Sequence, residues 1–549
     1  MMNFVDDLRE WIRTTVLPYR SPALRSMRRG PMTSPPGPNP LMIQFFTWDS
    51  LHPDMSWWKH FESEVDNLAD LGFTQVWLPP PNKAMVPKGQ GYDAYDLWDL
   101  GEFHQKGTTA TRWGTKEELI KASASAQARG IDILIDAVLN HKIGADRTES
   151  FQAIPVDADN RLKEIGPERE IEGWTAFDFP GRSGKYSEMK WTEEHFTGLD
   201  WDHRNKEKGV FRIVGGKHQG WSKWVDKELG NYDYLLGIDI DHRHPDVQKD
   251  LFAWGAWVLQ TTGATGFRLD AIKHMDRRFL LDFIKHARKV EGRQNLFAVA
   301  EYWSANVELI KPYIRAFEGL MTFFDVPLHH RFHDASKAGS HYDLRTILDR
   351  SVVKIRPGDA VTFVDNHDKL GKLLRAGLEI ISSSKRMLSF YFAKKVTREY
   401  SSLFRCPHVC FTPTSRSCVF YGDLYPNKEC YNEAIASKLK QLILARKKFA
   451  YGTQRDYFLE HNCIGFVREG TIQPVQGSES GGCAVVLSIG DDVEGESHVY
   501  TLRMNVGKVN GGGKYRPLLD PGSSQVETAA DGWGLFTCHK GSLEVWVQA

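Results

Sequence analysis

The sequence predicts an α/β protein: a (β/α)8 TIM barrel with an inserted β-rich subdomain after the third strand and a C-terminal antiparallel β domain. Three observations carry this prediction. From Pro40 onward, eight short apolar runs alternate with helical patterns. Near-continuous apolar strands between helices suit a parallel sheet covered on both faces, and eight such units suggest a closed barrel. Over 120 residues separate the third run from the fourth, where roughly 30–40 suffice for one βα unit. After about residue 450 the helical pattern stops, and short strands with Gly-rich turns follow, as in an all-β domain.

The eight strands are expected at MIQFF (42–46), TQVWL (74–78), IDILIDAV (131–138), TGFRLDAI (265–272), LFAVAEYW (296–303), MTFFDV (321–326), AVTFVDN (360–366) and SCVFYGD (417–423). Helical stretches lie between most of them, such as TKEELIKASASAQARG after Gly114 and PDVQKDLFAWGAWVLQTTG after His244. The barrel is expected over 41–141 and 239–450. The inserted subdomain is expected over 142–238, where the text is polar, aromatic and Gly-rich. CIGFVRE, CAVVLSI, HVYTLRM and SLEVWVQ mark a C-terminal β-sandwich over 451–549. Residues 1–40 read as a disordered extension, rich in Arg, Ser and Pro after residue 20.

Composition narrows the function classes. The 549 residues carry 70 basic and 70 acidic side chains, a formal net charge of zero. No global field would steer a polyanion, so nucleic acid is not an expected partner. No apolar run approaches the roughly 20 residues that span a membrane, and the N-terminus has no apolar signal core. The seven Cys residues form no CxxC pair, which suits free thiols in a reducing compartment. A cytoplasmic, monomeric protein is the expectation. Aromatics make up 12 %, with 17 Trp; they serve equally as core and as flat platforms for sugars.

Four acids fall at the ends of the predicted strands: Asp136, Asp270, Glu301 and Asp368. In a parallel barrel those ends converge on one face, where active sites are built. One such acid alone reads as a helix cap. Four together, beside His141, Arg268 and His367, point to glycoside hydrolysis, in which one carboxylate attacks the anomeric carbon and a protonated acid donates to the leaving oxygen. A further carboxylate can stabilise the positive transition state. Arg268 lies two residues before Asp270, on the same strand face, and is expected to keep Asp270 ionised. Glu301 has apolar and aromatic neighbours (FAVAEYW), so burial is expected to favour its protonated form.

At this point a resemblance becomes specific. DAVLNH (136–141), GFRLDAIKH (266–274), AEYW (300–303) and FVDNHD (363–368) resemble, in order, the four short motifs of the α-amylase family, glycoside hydrolase family 13. GYDAYDLWDLGEFHQKGT (91–108), GNYDYLLGIDIDHRHPDV (230–247) and FDVPLHHRFHDAS (324–336) are similar to the branch of bacterial liquefying and fungal intracellular amylases. The resemblance implies Asp270 as nucleophile, Glu301 as acid/base and Asp368 as transition-state stabiliser. It implies Arg268, His141 and His367 as partners of the cleaved sugar, Tyr92 as the ring beneath it, and Lys273 and His274 on the leaving side. It further implies internal cleavage of α-1,4-linked starch- or glycogen-like glucans with retention, and main carboxylates about 5–5.5 Å apart. One Ca2+ is expected, held by Asn140, Asp233, Asp239 and the backbone carbonyl of His274; hard oxygen donors of this kind suit that ion. Thr197 stands where some relatives place an Asp for further metals, which argues for a single ion. Two rival readings keep the sugar: a transglycosylase making oligosaccharide primers for a cell-wall glucan, and a catalytically impaired glucan-binding protein.

The pattern breaks after Asp368. Residues 369–416 hold ten Lys/Arg against two acids, and the resemblance resumes at CVFYGDLYPNKECYNEA (418–434). A divergent partner-binding insertion, a solvated helix, and a shifted reading frame or retained intron all account for this. The sharpness of the break favours the last.

Overall fold

A computed structural model describes residues 39–549, apart from 217, 318, 369–415, 429, 472–480, 490–497, 521 and 523. The N-terminal extension to residue 38 and the atypical 369–415 stretch lie outside the described residues.

Eight parallel strands close a barrel in sequence order, the last beside the first. They are β1 (Leu41–Gln44), β2 (Gln75–Trp77), β3 (Asp132–Ala137), β4 (Gly266–Leu269), β5 (Phe297–Ala300), β6 (Thr322–Phe324), β7 (Ala360–Phe363) and β8 (Arg416–Phe420). All eight predicted runs are strands, each ending short of its apolar text. The residues beyond the strand ends, such as Phe45, Phe46 and Leu78, are buried in the connecting turns. Gly266 opens β4 because a Cβ there would lie 2.3 Å from the Phe297 carbonyl and 2.5 Å from Leu134.

The helices on the outside are bounded as their sequences dictate. Helix α1 (Trp57–Leu71) starts at Ser56, whose side chain accepts from Lys59 N–H, and stops at Gly72 in the left-handed region (φ 99°). Helix α2 (Lys116–Ala128) has the Thr115/Glu118 capping box. Helix α3 (Pro245–Thr262) has Pro at its first position and ends at Gly263. Helices α4 (Arg277–Ala287), α5 (Val307–Phe317) and α6 (Val326–Ala338) follow β4, β5 and β6.

Asp325 joins β6 to α6 and is fully buried. Its carboxylate accepts from Leu328, Val352 and Val353 N–H at 3.1, 3.0 and 2.8 Å, while burial pushes its pKa up to about 6. Asp325→Ala leaves those three donors without a partner and is expected to cost about 3 kcal/mol. Urea unfolding at pH 7.5 checks this, and an unchanged midpoint would contradict it.

Between β3 and β4 the chain builds a six-stranded antiparallel sheet. Its order is His141–Lys142, Ile238–Ile240, Phe196–Asp202, Glu207–Ile213, Arg147–Val156 and Arg169–Ala176. Arg182 docks this insertion, pairing with Asp96 at 2.9 Å with both side chains almost fully buried. The C-terminal region forms a second six-stranded sheet and a two-stranded one, Val499–Asn505 with Trp533–His539. Alternation serves two cores here. Ile464, Phe466, Val485 and Leu487 join the barrel's core, whereas Cys463, Val467, Ala484 and Val486 pack with Leu502, Met504 and Phe536. Strands Gln454–Tyr457, Lys514–Pro517, Val526–Glu527 and Trp533–His539 were not among those the sequence predicts. The first three are short, and the first exposes much of its length.

Candidate active site

The carboxyl ends of β3, β4, β5 and β7 bring the four predicted acids onto one rim. Register explains how. Arg268 on β4 is the direct partner of Asp136 on β3 and of Val299 on β5. Asp270 follows β4 with its N–H on the Ala137 carbonyl (3.2 Å), and Glu301 follows β5 with its N–H on the Leu269 carbonyl (3.0 Å). The buried Arg268 guanidinium then spans three carboxylates: Nη1 meets Asp136 at 2.8 Å and Asp270 at 2.6 Å, and Nη2 meets Glu301 at 2.6 Å. Its plane lies over Trp77 and Tyr92, 4.8 and 5.8 Å from the ring centres.

Charge balance here corrects one expectation. Burial pushes the Asp270 carboxyl well above its usual range; Arg268 opposes this, and Glu301, Asp136 and Asp368 add to the rise. Arg268 therefore does not by itself hold Asp270 ionised, because one guanidinium is divided among three carboxylates with Asp368 facing the same space.

Asp136 is a support. It accepts from Trp77 Nε1 at 2.9 Å, from Tyr92 Oη at 2.7 Å and from Arg268. Tyr92, His367 and Trp48 form a near-parallel set of rings. The Tyr92–His367 centroids are 4.9 Å apart at 9°, and Trp48 lies 5.9 Å from Tyr92 at 5°. Gln44 Nε2 lies 3.0 Å from His367 Nδ1, and His367 Nε2 lies 3.8 Å from Asp368 Oδ1. His141 Nε2 lies 2.8 Å from the Tyr92 carbonyl, and burial pushes its pKa down to about 4.

Lys273 and His274 sit in the turn after β4. Lys273 pairs with Glu228 of the inserted region and lies over the Tyr232 ring at 5.0 Å. His274 Nδ1 lies 2.8 Å from the Tyr232 carbonyl, and burial pushes its pKa down to about 3. The same turn holds Ala271 in the left-handed region (φ 49°), a cost that non-glycine residues bear mainly at functional sites. That conformation aims Ala271 N–H at Glu301 Oε2, 3.3 Å away.

Asn140, Asp233 and Asp239 are buried behind this rim. Asn140 Nδ2 and Asp239 Oδ1 are 3.5 Å apart, whereas Asn140 Oδ1 has no hydrogen-bond partner among the described residues. Burial pushes Asp233 up to about 7, and burial with the Asp233 charge pushes Asp239 well above its usual range. Thr197 donates to Asp239, so a neutral hydroxyl occupies that position.

Several site residues escaped the sequence reading. Trp48 and Gln44 lie at the end of β1, where strand-end position was the available signal. Glu228 carries no local signal, because its meeting with Lys273 depends on the insertion folding back over β4.

Comparison with known proteins gives the family. A family model for the alpha-amylase catalytic domain matches residues 57–393. A glucan 1,4-alpha-maltohexaosidase of Bacillus sp. (strain 707) is 39 % identical over 514 residues, covering 93 % of each chain. The cytoplasmic alpha-amylase of Escherichia coli (strain K12) is 37 % identical over 522 residues, covering 93 % of this chain and 99 % of that one. Among solved structures, the alpha-amylase of Geobacillus thermoleovorans superimposes with a TM-score of 0.58 at 16 % identity, covering 93 % of this chain and 98 % of that one; this supports the fold. With the catalytic-domain match over more than half of its length and relatives at 37–39 % identity along 93 % of it, the chain belongs to the alpha-amylase family and is a glycoside hydrolase.

Proposed function

We propose that the protein is a retaining, endo-acting α-amylase that hydrolyses internal α-1,4-glucosidic bonds of starch- or glycogen-like glucans. The observation that carries this reading is the single guanidinium of Arg268 bonded to both Asp270 and Glu301. Two carboxylates spaced by one guanidinium suit direct attack on the sugar better than the wider gap that an inverting water needs. Asp270 attacks the anomeric carbon, and the bond to the leaving oxygen breaks as Glu301 delivers a proton to it. Glu301, now ionised, takes a proton from water, whose oxygen displaces Asp270; this restores the Asp270 carboxylate and the Glu301 acid. Asp368 stabilises the positive ring from the side of His367, and the Trp48–Tyr92–His367 rings support the sugar. His141 and Arg268 complete the cleaved-sugar site, and Lys273 and His274 line the leaving side.

Calcium fits the buried set of Asn140, Asp233 and Asp239, completed by the His274 carbonyl. An orphaned buried oxygen and two buried carboxylates are hard donors that call for a cation. When bound, the ion neutralises that charge and clamps the inserted subdomain (142–238) against the barrel (41–141 and 239–450), with the β-sandwich (451–549) beyond. The enzyme acts as a monomer in the cytoplasm. The Escherichia coli relative is named as cytoplasmic, and no described helix is long and apolar enough to cross a membrane.

Maltoheptaose hydrolysis followed by proton NMR tests the reading. Fresh reducing ends should appear as the α-anomer, with products shorter than the substrate. Initial β-anomer would overturn retention, and chains longer than seven sugars would identify a transferase.

A further inference from the structure

We propose that His195, His244 and Asp246 form a transition-metal site, separate from the calcium ligands, which takes a zinc-class divalent ion and staples the inserted sheet to helix α3. One ligand atom from each of the three lies within 4.8 Å of the others. They come from two segments. His195 ends the turn Glu193–His195 just before strand Phe196–Asp202. His244 caps α3, and Asp246 is the second residue of that helix. The segments are already joined without an ion, since Asp241 N–H donates to the His195 carbonyl at 2.9 Å. The ligands are thus brought together by the fold.

Both imidazoles are fixed through Nδ1, which accepts from the Thr192 N–H in His195 and from the Asp246 N–H in His244. His195 is 5 % exposed. Its Nδ1 accepts from the Thr192 N–H at 3.0 Å and lies 3.3 Å from the Thr192 carbonyl, so an ion that binds at Nε2 displaces the proton held there in the neutral ring. The His195 and His244 rings meet edge-on, with centroids 4.7 Å apart at 65°. Asp246 Oδ2 is 4.0 Å from His244 Nδ1 and its side chain is 68 % exposed, so it can rotate inward over an arriving ion. Two imidazoles and one carboxylate form a borderline donor set. Zn2+ accepts such a set in tetrahedral geometry with water in the fourth position, whereas Ca2+ needs six to eight oxygens. The amino end of α3 opposes a cation, and the Asp246 carboxylate of the ligand set favours one.

Isothermal titration of ZnCl2 into the calcium-saturated full chain tests the site. One Zn2+ per chain is expected, undiminished by excess Ca2+, together with a rise in melting temperature. Asp246→Asn, an exposed change that leaves the helix intact, should weaken binding roughly tenfold or more, and His244→Gln likewise; His195→Gln should abolish it. Absence of saturable Zn2+ binding, or Asp246→Asn and His244→Gln variants that bind as the parent does, would overturn the proposal.

Discussion

Replacing Asp270 by Asn is expected to lower kcat on starch by roughly 10^5-fold, and replacing Glu301 by Gln by roughly 10^4-fold or more. The two losses have different causes, and a substrate with a good leaving group separates them. A maltosyl fluoride needs no proton to release fluoride, so Glu301→Gln should still form the glycosyl-enzyme quickly and then stall. Asp270→Asn should be inactive on fluoride and starch alike, because no carboxylate remains to attack. Stability should move the other way. Asp136, Asp270 and Glu301 crowd around one buried guanidinium, and the Asp368 charge acts on Asp270 as well, so removing a carboxylate should relieve repulsion that the fold otherwise bears. Melting temperatures of both variants should equal or exceed that of the parent. A fully active Asp270→Asn enzyme would remove Asp270 from the nucleophile's role.

The barrel was legible because its signals are local. Each strand is a short apolar run, and each helix brings its own punctuation, such as Thr115 and Glu118 before α2 or Pro245 and Gly263 around α3. The acids were legible for a related reason: position at a strand end forecasts the rim. What stayed hidden depends on how distant segments meet. Burial of Asp270 was foreseeable from GFRLDAI, but the division of Arg268 among three carboxylates comes from register between β3, β4 and β5. The apolar text around Glu301 forecasts its burial and says nothing of its bond to Arg268. Trp48 could have been found from its place after β1; Glu228 could not, since nothing near KELGN marks its approach to Lys273.

The same distinction applies to the predicted calcium ligands. Asn140 lies at the end of the third strand unit, and Asp233 and Asp239 arrive from the far end of the insertion. Only a folded chain makes them neighbours, so an ion there should be felt in stability before it is felt in chemistry.

Chelation gives that idea a sign. Without the ion, Asp233 titrates at about 7 in the folded chain against 3.8 as its ordinary value, and Asp239 is raised as well. The folded state then binds protons that the unfolded state has lost, so this contribution to stability is full below pH 3.8 and disappears as pH rises through about 7. For Asp233 alone the loss is on the order of 4 kcal/mol. On the calcium reading, bound Ca2+ takes the place of those protons, so its stabilisation should grow over the same interval. His141 and His274, pushed down to about 4 and about 3, act in the opposite sense. Their contribution is present above pH 6.5 and is lost as pH falls through about 4 for His141 and about 3 for His274. The melting temperatures of calcium-saturated and EDTA-treated protein should therefore differ by on the order of 8 °C at pH 8 and converge toward pH 5. Asp233→Asn should shrink the gap at pH 8, since one of the two carboxylates that call for the ion is gone. A gap that is constant from pH 5 to 8 would mean that these two acids do not hold the metal.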